Sequence, residues 1–555
     1  MSSEPRGQEK FDVVVVGARC AGSPLAAMLA RRGLRVCLVD RSRFPSDSLS
    51  THVIQPRGVA ILDRLGVLDA ALAAGAAPLT RLTFVAEDAR MDAAIDAKAF
   101  GAPALSMRRL ALDYLLVETA ASAGAAVRTE TAVNGLIWEG DRVGGVETKD
   151  GPLRARLVVG ADGRSSTVAG LVGASEYRSA PPGRMFAWAY FEGTAEDEGR
   201  LRLGSIEGLT FAASPTDSGL YLAAVCPPLE RKDAFLADRE AGYMEGIAAW
   251  PELHELLAGA NRLGPIRVMT SWHGYFREAA GPGWALLGDA GHSKDPSPAQ
   301  GIADALGHAE RLADAIETGL DSDDIDSALR HWWRWRDNDG YEMHWFAADL
   351  GASGTRPVAR QYMQDMIGDE DAIEDFLRVL NHEIPPSRLL TPRRLARAGA
   401  RAVRSRPGQL PAMASEVATE LRNTIHRSRQ RRHPSIRSTS LSLSPAATAT
   451  GAERLLLGVT VAGLLIPIVF FGAFFATEGA DLGRYFSLWT ATLPSTQILL
   501  DLAVASLALF IWAAIEGPRA GVRRWWLCIP ATLLVGLSFG LPLFFLMRER
   551  ALSHS

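Results

Sequence analysis

FDVVVVGARCAGSPLAAMLARRGLRVCLVD, residues 11–40, decides the fold. Its opening run, residues 11–16, is β-branched and closed by glycine, which predicts a strand buried in a parallel sheet. Residues 17–22 make a tight glycine turn, and residues 22–32 follow a helical pattern in which Pro24 suits the first turn. Gly33 ends that helix, and residues 34–39 read as a second buried strand closing on Asp40. A βαβ unit with an acid about 20 residues beyond its glycine turn is the arrangement that holds a dinucleotide. Gly17 lets the chain leave the strand sharply, and Gly22 lets helix and strand pack closely. The free N–H groups at the helix start face a pyrophosphate, and Asp40 is suited to a ribose diol. Arg19 stands where G-x-G-x-x-G has its middle glycine, so its guanidinium must turn outward or touch the phosphate itself.

The rest of the chain sets the limits. Its 555 residues suggest two or three domains. A net charge of −4 offers no basic field for nucleic acid. Cys20, Cys37, Cys226 and Cys528 lie too far apart to form metal-ligand spacing, so no metal is expected. The polar N-terminal stretch has no apolar signal core, which predicts a cytoplasmic first domain. Residues 59–72 and 106–124 read as helices, and 81–86 and 91–97 as strands. His52 lies in the polar loop after Asp40. Arg108 and Arg109 sit at a helix start, where the dipole repels them, so an anionic partner is expected. Residues 186–191, 201–203, 209–213 and 219–225 alternate as strands of an antiparallel sheet with an aromatic wall. A third ordered motif follows, in which strand 284–287 runs into Gly288-Asp289, a proline-rich loop and a helix from about Gly301.

Together the glycine turn, Asp162-Gly163 and Gly288-Asp289, in this order, resemble the FAD-dependent monooxygenases of the aromatic-hydroxylase type (group A flavoprotein monooxygenases). That superfamily also contains polyprenyl reductases and flavin halogenases. The resemblance covers roughly residues 10–350 and implies an α/β fold: a Rossmann-like FAD-binding domain with an inserted antiparallel-sheet substrate domain. It implies cofactor contacts at Gly17, Ala18, Arg19, Cys20, Ala21, Gly22, Asp40, Arg41, Arg109, Asp162, Gly163, Gly288, Asp289, Gln300, Gly301 and Ile302. The loop 296–302 is expected along the isoalloxazine. His52, His292 and Pro296 are the candidate catalytic positions. NADPH or NADH is the implied reductant, although Ala169 replaces an arginine usual in the longer Asp-Gly motif. The halogenase signature W-x-W-x-I-P is absent, and HWWRWR at 331–336 does not supply it.

These readings divide the chain into an FAD-binding part at 1–180, with strands in 81–105 joining the substrate sheet. The substrate sheet follows at 181–275, then a return to the FAD domain at 276–390. An arginine-rich linker is expected at 391–452 and three transmembrane helices at 453–550. The apolar runs are 455–476, 498–515 (interrupted by Asp501) and 525–547. The arginines before the first run, and Arg519, Arg523 and Arg524 between the second and third, predict cytoplasmic loops and an outside C-terminus. This tail resembles a small bacterial three-helix membrane domain of unknown function. The leading expectation is an NAD(P)H-dependent monooxygenase that hydroxylates or epoxidises an apolar small molecule or lipid at the cytoplasmic membrane face. A polyprenyl or lipid reductase, or a flavin redox sensor signalling through the tail, are the alternatives.

Overall fold

In the computed structural model the described residues are 10–46, 52–195, 198–352, 356–431, 433–434, 451–478, 481–520, 522 and 524–553. The chain divides into two compact units, residues 1–439 and 440–555.

The first unit is built on residues 11–40. Strand Lys10–Val16 runs into the turn, helix Gly22–Arg31 follows, and strand Val36–Val39 returns beside the first. Their valines and leucines are wholly buried, which is why the runs carry no polar alternation. The parallel core continues outward in the order Ala126–Arg128, Val36–Val39, Lys10–Val16, Gly151–Gly160, Trp284–Leu286. Antiparallel strands Arg142–Thr148 and Val133–Glu139 extend from Gly151–Gly160. Helices Gly22–Arg31, Arg109–Ser122 and Gly301–Asp321 share the apolar core with this sheet.

The second sheet has seven strands in the order Asn261–Met269, Phe186–Glu192, Tyr221–Cys226, Leu209–Pro215, Arg200–Ile206, Arg81–Ala86, Ala89–Ala94. All neighbours are antiparallel except Arg200–Ile206 with Arg81–Ala86. Alternation sorts its side chains. Ala187, Ala189 and Phe191 pack with Phe235, Tyr243 and Trp250 of the helical layer on one face. Phe186, Trp188 and Tyr190 group with Leu222, Ala224 and Met269 on the other.

Three expectations need correction. The helix read over 59–72 is two helices, Pro56–Arg64 and Leu68–Ala73, because Gly66 takes a φ of +70°. The arginine-rich segment read as linker is helical over Pro392–Ser405 and Leu410–Arg429 and belongs to the first unit. Its arginines hold it there: Arg394 pairs with Asp375 at 2.7 Å, and Arg427 pairs with Asp349.

The third correction concerns the spans. Among the described residues one helix, Ser495–Arg519, is both long and apolar enough to cross a membrane; Leu456–Val469 and Trp525–Leu534 are shorter apolar helices. The run expected at 525–547 is broken at Gly536, whose φ of +130° separates Cys528–Leu534 from Leu537–Ser553. Residues 435–450, in the last part of the expected linker, lie outside the described residues.

Candidate functional site

The three sequence motifs meet at the carboxyl ends of the parallel strands. Gly17 has a φ of +106°, and a Cβ there would lie 2.4 Å from the Ala161 carbonyl oxygen, next to Asp162. A Cβ on Gly22 would lie 1.9 Å from the Gly17 oxygen. Gly288, at φ +61°, would bring a Cβ 2.8 Å from Ala21. These positions hold glycine because turn, Asp-Gly and Gly-Asp segments touch one another.

The nucleotide end is closed by the chain's own hydrogen bonds. Asp40 accepts from the Ala18 N–H at 2.8 Å and the Ser42 N–H at 2.8 Å. A carboxylate has further lone pairs, so ribose hydroxyls can still be received. Arg41 is exposed beside it. The arginines expected to seek an anion find one inside the protein. Arg109 donates to Asp113 through Nε at 2.9 Å and through a second nitrogen at 3.0 Å. Arg19 reaches the same carboxylate at 3.0 Å and the Ser46 hydroxyl at 3.1 Å. The Cys20 thiol donates to Asp113 at 3.3 Å, and burial pushes that thiol well above the ordinary range. Arg108 forks onto Asp217 at 2.8–2.9 Å.

Asp113 was missed in the sequence. It lies four residues after Arg109 on one helix face, and that i, i+4 spacing was the available signal.

The other end is open. No described donor reaches the Asp289 carboxylate, although the Asp289 backbone oxygen accepts from Tyr275 Oη at 2.7 Å. Water reaches this acid while protein crowds around it. That crowding pushes its carboxyl up from the ordinary range, against the pull of Arg164, Arg109 and Arg277. Helix Gly22–Arg31 begins with no side-chain cap and no acid in its first turn, and helix Gly301–Asp321 also lacks a side-chain cap. A Cβ on Gly301 would meet nothing within 4 Å, Ile302 is buried, and the Gln300 amide turns inward onto the Val379 and Leu380 carbonyls at 2.7 and 3.0 Å. Two uncapped helix starts, glycine cradles and an unpartnered acid fit a flavin dinucleotide.

Asp162 has a more local task. It accepts from Ser166 Oγ at 2.5 Å and from the Thr167 and Val168 N–H groups, capping helix Thr167–Leu171, while Gly163 turns at φ +80°. Arg164, next in the chain, places a nitrogen 3.0 Å from the Met269 sulfur, which links this motif to the aromatic sheet face.

The candidate catalytic positions separate. His52 is buried and its Nε2 pairs closely with Tyr190 Oη on that sheet face. Two positions along the same strand, Trp188 is 7% exposed as a residue, and its indole N–H is buried with no partner among the described residues. Pro296 lies in a loop pinned by buried Arg184, which holds Asp295 at 2.6 Å and also contacts Ser297. His292 stacks on Phe276, with ring centres 4.0 Å apart, and packs near His344. Burial holds its imidazole neutral, well below the usual range.

No group of three or more potential metal ligands occurs among the described residues. Comparison with known proteins agrees with the geometry. Residues 10–328 match the family model described as an FAD binding domain, and residues 455–550 match a protein family of unknown function. The 6-methylpretetramide 4-monooxygenase of Streptomyces rimosus is 32% identical over 326 residues, covering 57% of this chain and 77% of that protein. The menaquinone reductase of Mycolicibacterium smegmatis is 29% identical over 327 residues, covering 56% and 77%. A myxobacterial chondrochloren halogenase, an FAD-dependent halogenase, superposes with a TM-score of 0.58 at 23% identity, covering 71% and 97%, a likeness of fold.

Proposed function

The chain belongs to the FAD-binding flavoprotein family of the aromatic-hydroxylase type, and from that premise we propose that it is an NAD(P)H-dependent monooxygenase acting on an apolar, oxygen-bearing small molecule or lipid. The observation that carries this reading is the sheet face bearing Phe186, Trp188 and Tyr190, which supplies an apolar wall with one buried, unmatched donor. A buried N–H without an acceptor costs about 1–3 kcal/mol, so a substrate oxygen that accepts from it is favoured over a pure hydrocarbon. His52 and Tyr190 form a hydrogen-bonded, proton-holding pair on that wall.

Gly17, Gly22 and the uncapped start of helix Gly22–Arg31 would hold the pyrophosphate of FAD, the start of helix Gly301–Asp321 would face its isoalloxazine, and Asp40 and Asp289 would receive its hydroxyl groups. Bound FAD would carry electrons from a nicotinamide and activate O2. The protein's own work is then to orient the substrate and to exclude water. Apolar helix Ser495–Arg519 in the second unit supports attachment to a bilayer, with substrate reaching the flavoprotein from the lipid phase. A reductase acting on a quinone or polyprenyl chain is the second reading, favoured by the menaquinone reductase relative.

The test is to purify the full chain in detergent and follow NADH or NADPH oxidation with oxygen uptake, against a lipid extract and a panel of naphthols and naphthoquinones. Substrate-stimulated oxygen consumption with a product heavier by one oxygen is expected. Turnover that persists without oxygen, giving a product reduced by two electrons, would replace this reading with the reductase.

A further inference from the structure

Away from the flavin crevice, three consecutive elements of the first unit bring five arginines to one cleft of about 610 Å³. Arg378 comes from helix Glu370–Leu380, Arg388 from the short helix Pro386–Leu389, and Arg393, Arg394 and Arg397 from helix Pro392–Ser405. The scaffold beneath them is firm. Phe376, Val379, Leu380, Leu389 and Ala398 belong to one buried cluster, and Tyr362 donates to the Leu389 carbonyl at 2.8 Å.

The charges in this cleft do not balance. Its two acids are already engaged: Asp369 caps its own helix by accepting from the Ala372 N–H, and Asp375 holds Arg394 at 2.7 Å. Arg378 is paired outside the cleft lining, with Glu374 at 2.6 Å and Glu383 at 3.6 Å. Arg388, Arg393 and Arg397 have no carboxylate partner among the described residues. Arg393 lies in the first turn of its helix, at the positive end of the dipole, where a carboxylate would ordinarily be favoured, and that turn holds no acid. A mobile anion relieves both the mutual repulsion and the dipole conflict, and guanidiniums in a fork match phosphate oxygens two at a time.

We propose that this cleft is a phosphate-binding site, separate from the flavin site, taking a phosphomonoester or diphosphate group carried either by a lipid headgroup or by a free metabolite. The volume exceeds what a single phosphate needs, which leaves space for a second phosphoryl group or a headgroup. Exposed Leu390 and Leu395 flank the arginines and could carry the first carbons of an acyl chain.

The full chain in detergent is titrated with inorganic pyrophosphate, with dihexanoyl phosphatidic acid and, as the neutral-headgroup control, with dihexanoyl phosphatidylcholine. Binding of either phosphate probe, weakened by added salt and absent for the choline lipid, is expected. The triple variant Arg388→Gln/Arg393→Gln/Arg397→Gln should weaken it by more than about tenfold. A variant losing the same charge elsewhere, Arg231→Gln/Arg239→Gln/Arg422→Gln, should bind as the parent does. Pyrophosphate binding would mark a free metabolite as sufficient; binding of the phosphatidic acid alone would mark the headgroup as the source. Phenylglyoxal footprinting of the parent chain gives a readout without substitution, since the bound probe should shield Arg388, Arg393 and Arg397 from modification. Failure of both phosphate probes to bind, equal weakening in the two triple variants, or unshielded arginines would each overturn the site.

Discussion

The two ends of the flavin crevice are built on opposite principles. At the nucleotide end the buried charged groups already have partners in the chain: Asp40 holds two backbone N–H groups, and Asp113 gathers Arg19, Cys20 and Arg109. At the open end the Asp289 carboxylate has no donor from the described residues and faces accessible space beside an uncapped helix start. The first end is finished by folding; the second is completed by a ligand. Substitutions at the two ends should therefore fail differently, one losing the fold and the other losing only the cofactor.

The largest effect is expected at Asp113. Its side chain is fully buried, and Arg109 beside it is nearly so. Asp113→Ala removes the carboxylate that faces the nearly buried Arg109 guanidinium, at a cost of about 3–5 kcal/mol. Thermal and denaturant unfolding of the full chain should show that loss even without added flavin. Unfolding indistinguishable from the parent would mean that the nucleotide end is not held by its own ion pairs.

Acidification tests the core behind the open end. His292, His344 and His433 are buried, and burial lowers the imidazole of His344 to about 3 and that of His433 to about 4. Below the ordinary value near 6.5 the unfolded chain takes up protons that the folded chain refuses. Stability is therefore full above about pH 6.5 and falls as the pH drops toward 4, by up to roughly 1.4 kcal/mol per pH unit for each such histidine. His344→Leu should flatten that slope by one histidine's share in unfolding measured between pH 6.5 and 4.5. An unchanged slope would show that His344 titrates normally.

How much of this contrast was legible in the sequence depends on range. The βαβ unit was legible because each of its signals is local: two valine-rich runs, a glycine turn and a closing acid within 30 residues. The alternation that puts Phe186, Trp188 and Tyr190 on one face was legible for the same reason. The partners were not. Arg108 and Arg109 looked unpaired because Asp217 is 109 residues away from Arg108, and because Asp113 was read as part of a helix and not as a buried counter-ion. The arginine-rich segment looked like a linker because its composition is polar, whereas Ala398 and Ala402 give helix Pro392–Ser405 a narrow buried face. Gly536, lying inside an apolar run, gave little warning of a break that depends on its positive φ.

At the open end the expectation reverses. Asp289→Ala removes an acid that makes no described hydrogen bond through its carboxylate, so unfolding without flavin should be unchanged or slightly harder. Flavin retention should fall by about 1–3 kcal/mol, the range for hydrogen bonds to a charged group, read by fluorescence of released FAD during dilution. Equal loss of fold and cofactor would erase the difference between the two ends.

Arg19→Gly gives the finest test, because it restores the common glycine motif at the closed end. Arg19 is a quarter exposed, and Asp113 would still hold Arg109 after its removal, so stability should change by no more than about 1 kcal/mol. Its second effect is electrostatic. Two guanidiniums against one carboxylate leave the cluster with a net positive charge beside the turn that would receive a pyrophosphate, and the substitution leaves a neutral pair. FAD affinity should therefore drop modestly, by about threefold to tenfold, and the drop should shrink as salt is added. A glycine variant that binds FAD as tightly as the parent at low salt would show that the nucleotide end acts through its backbone alone, with Arg19 serving only to tie the turn to Asp113.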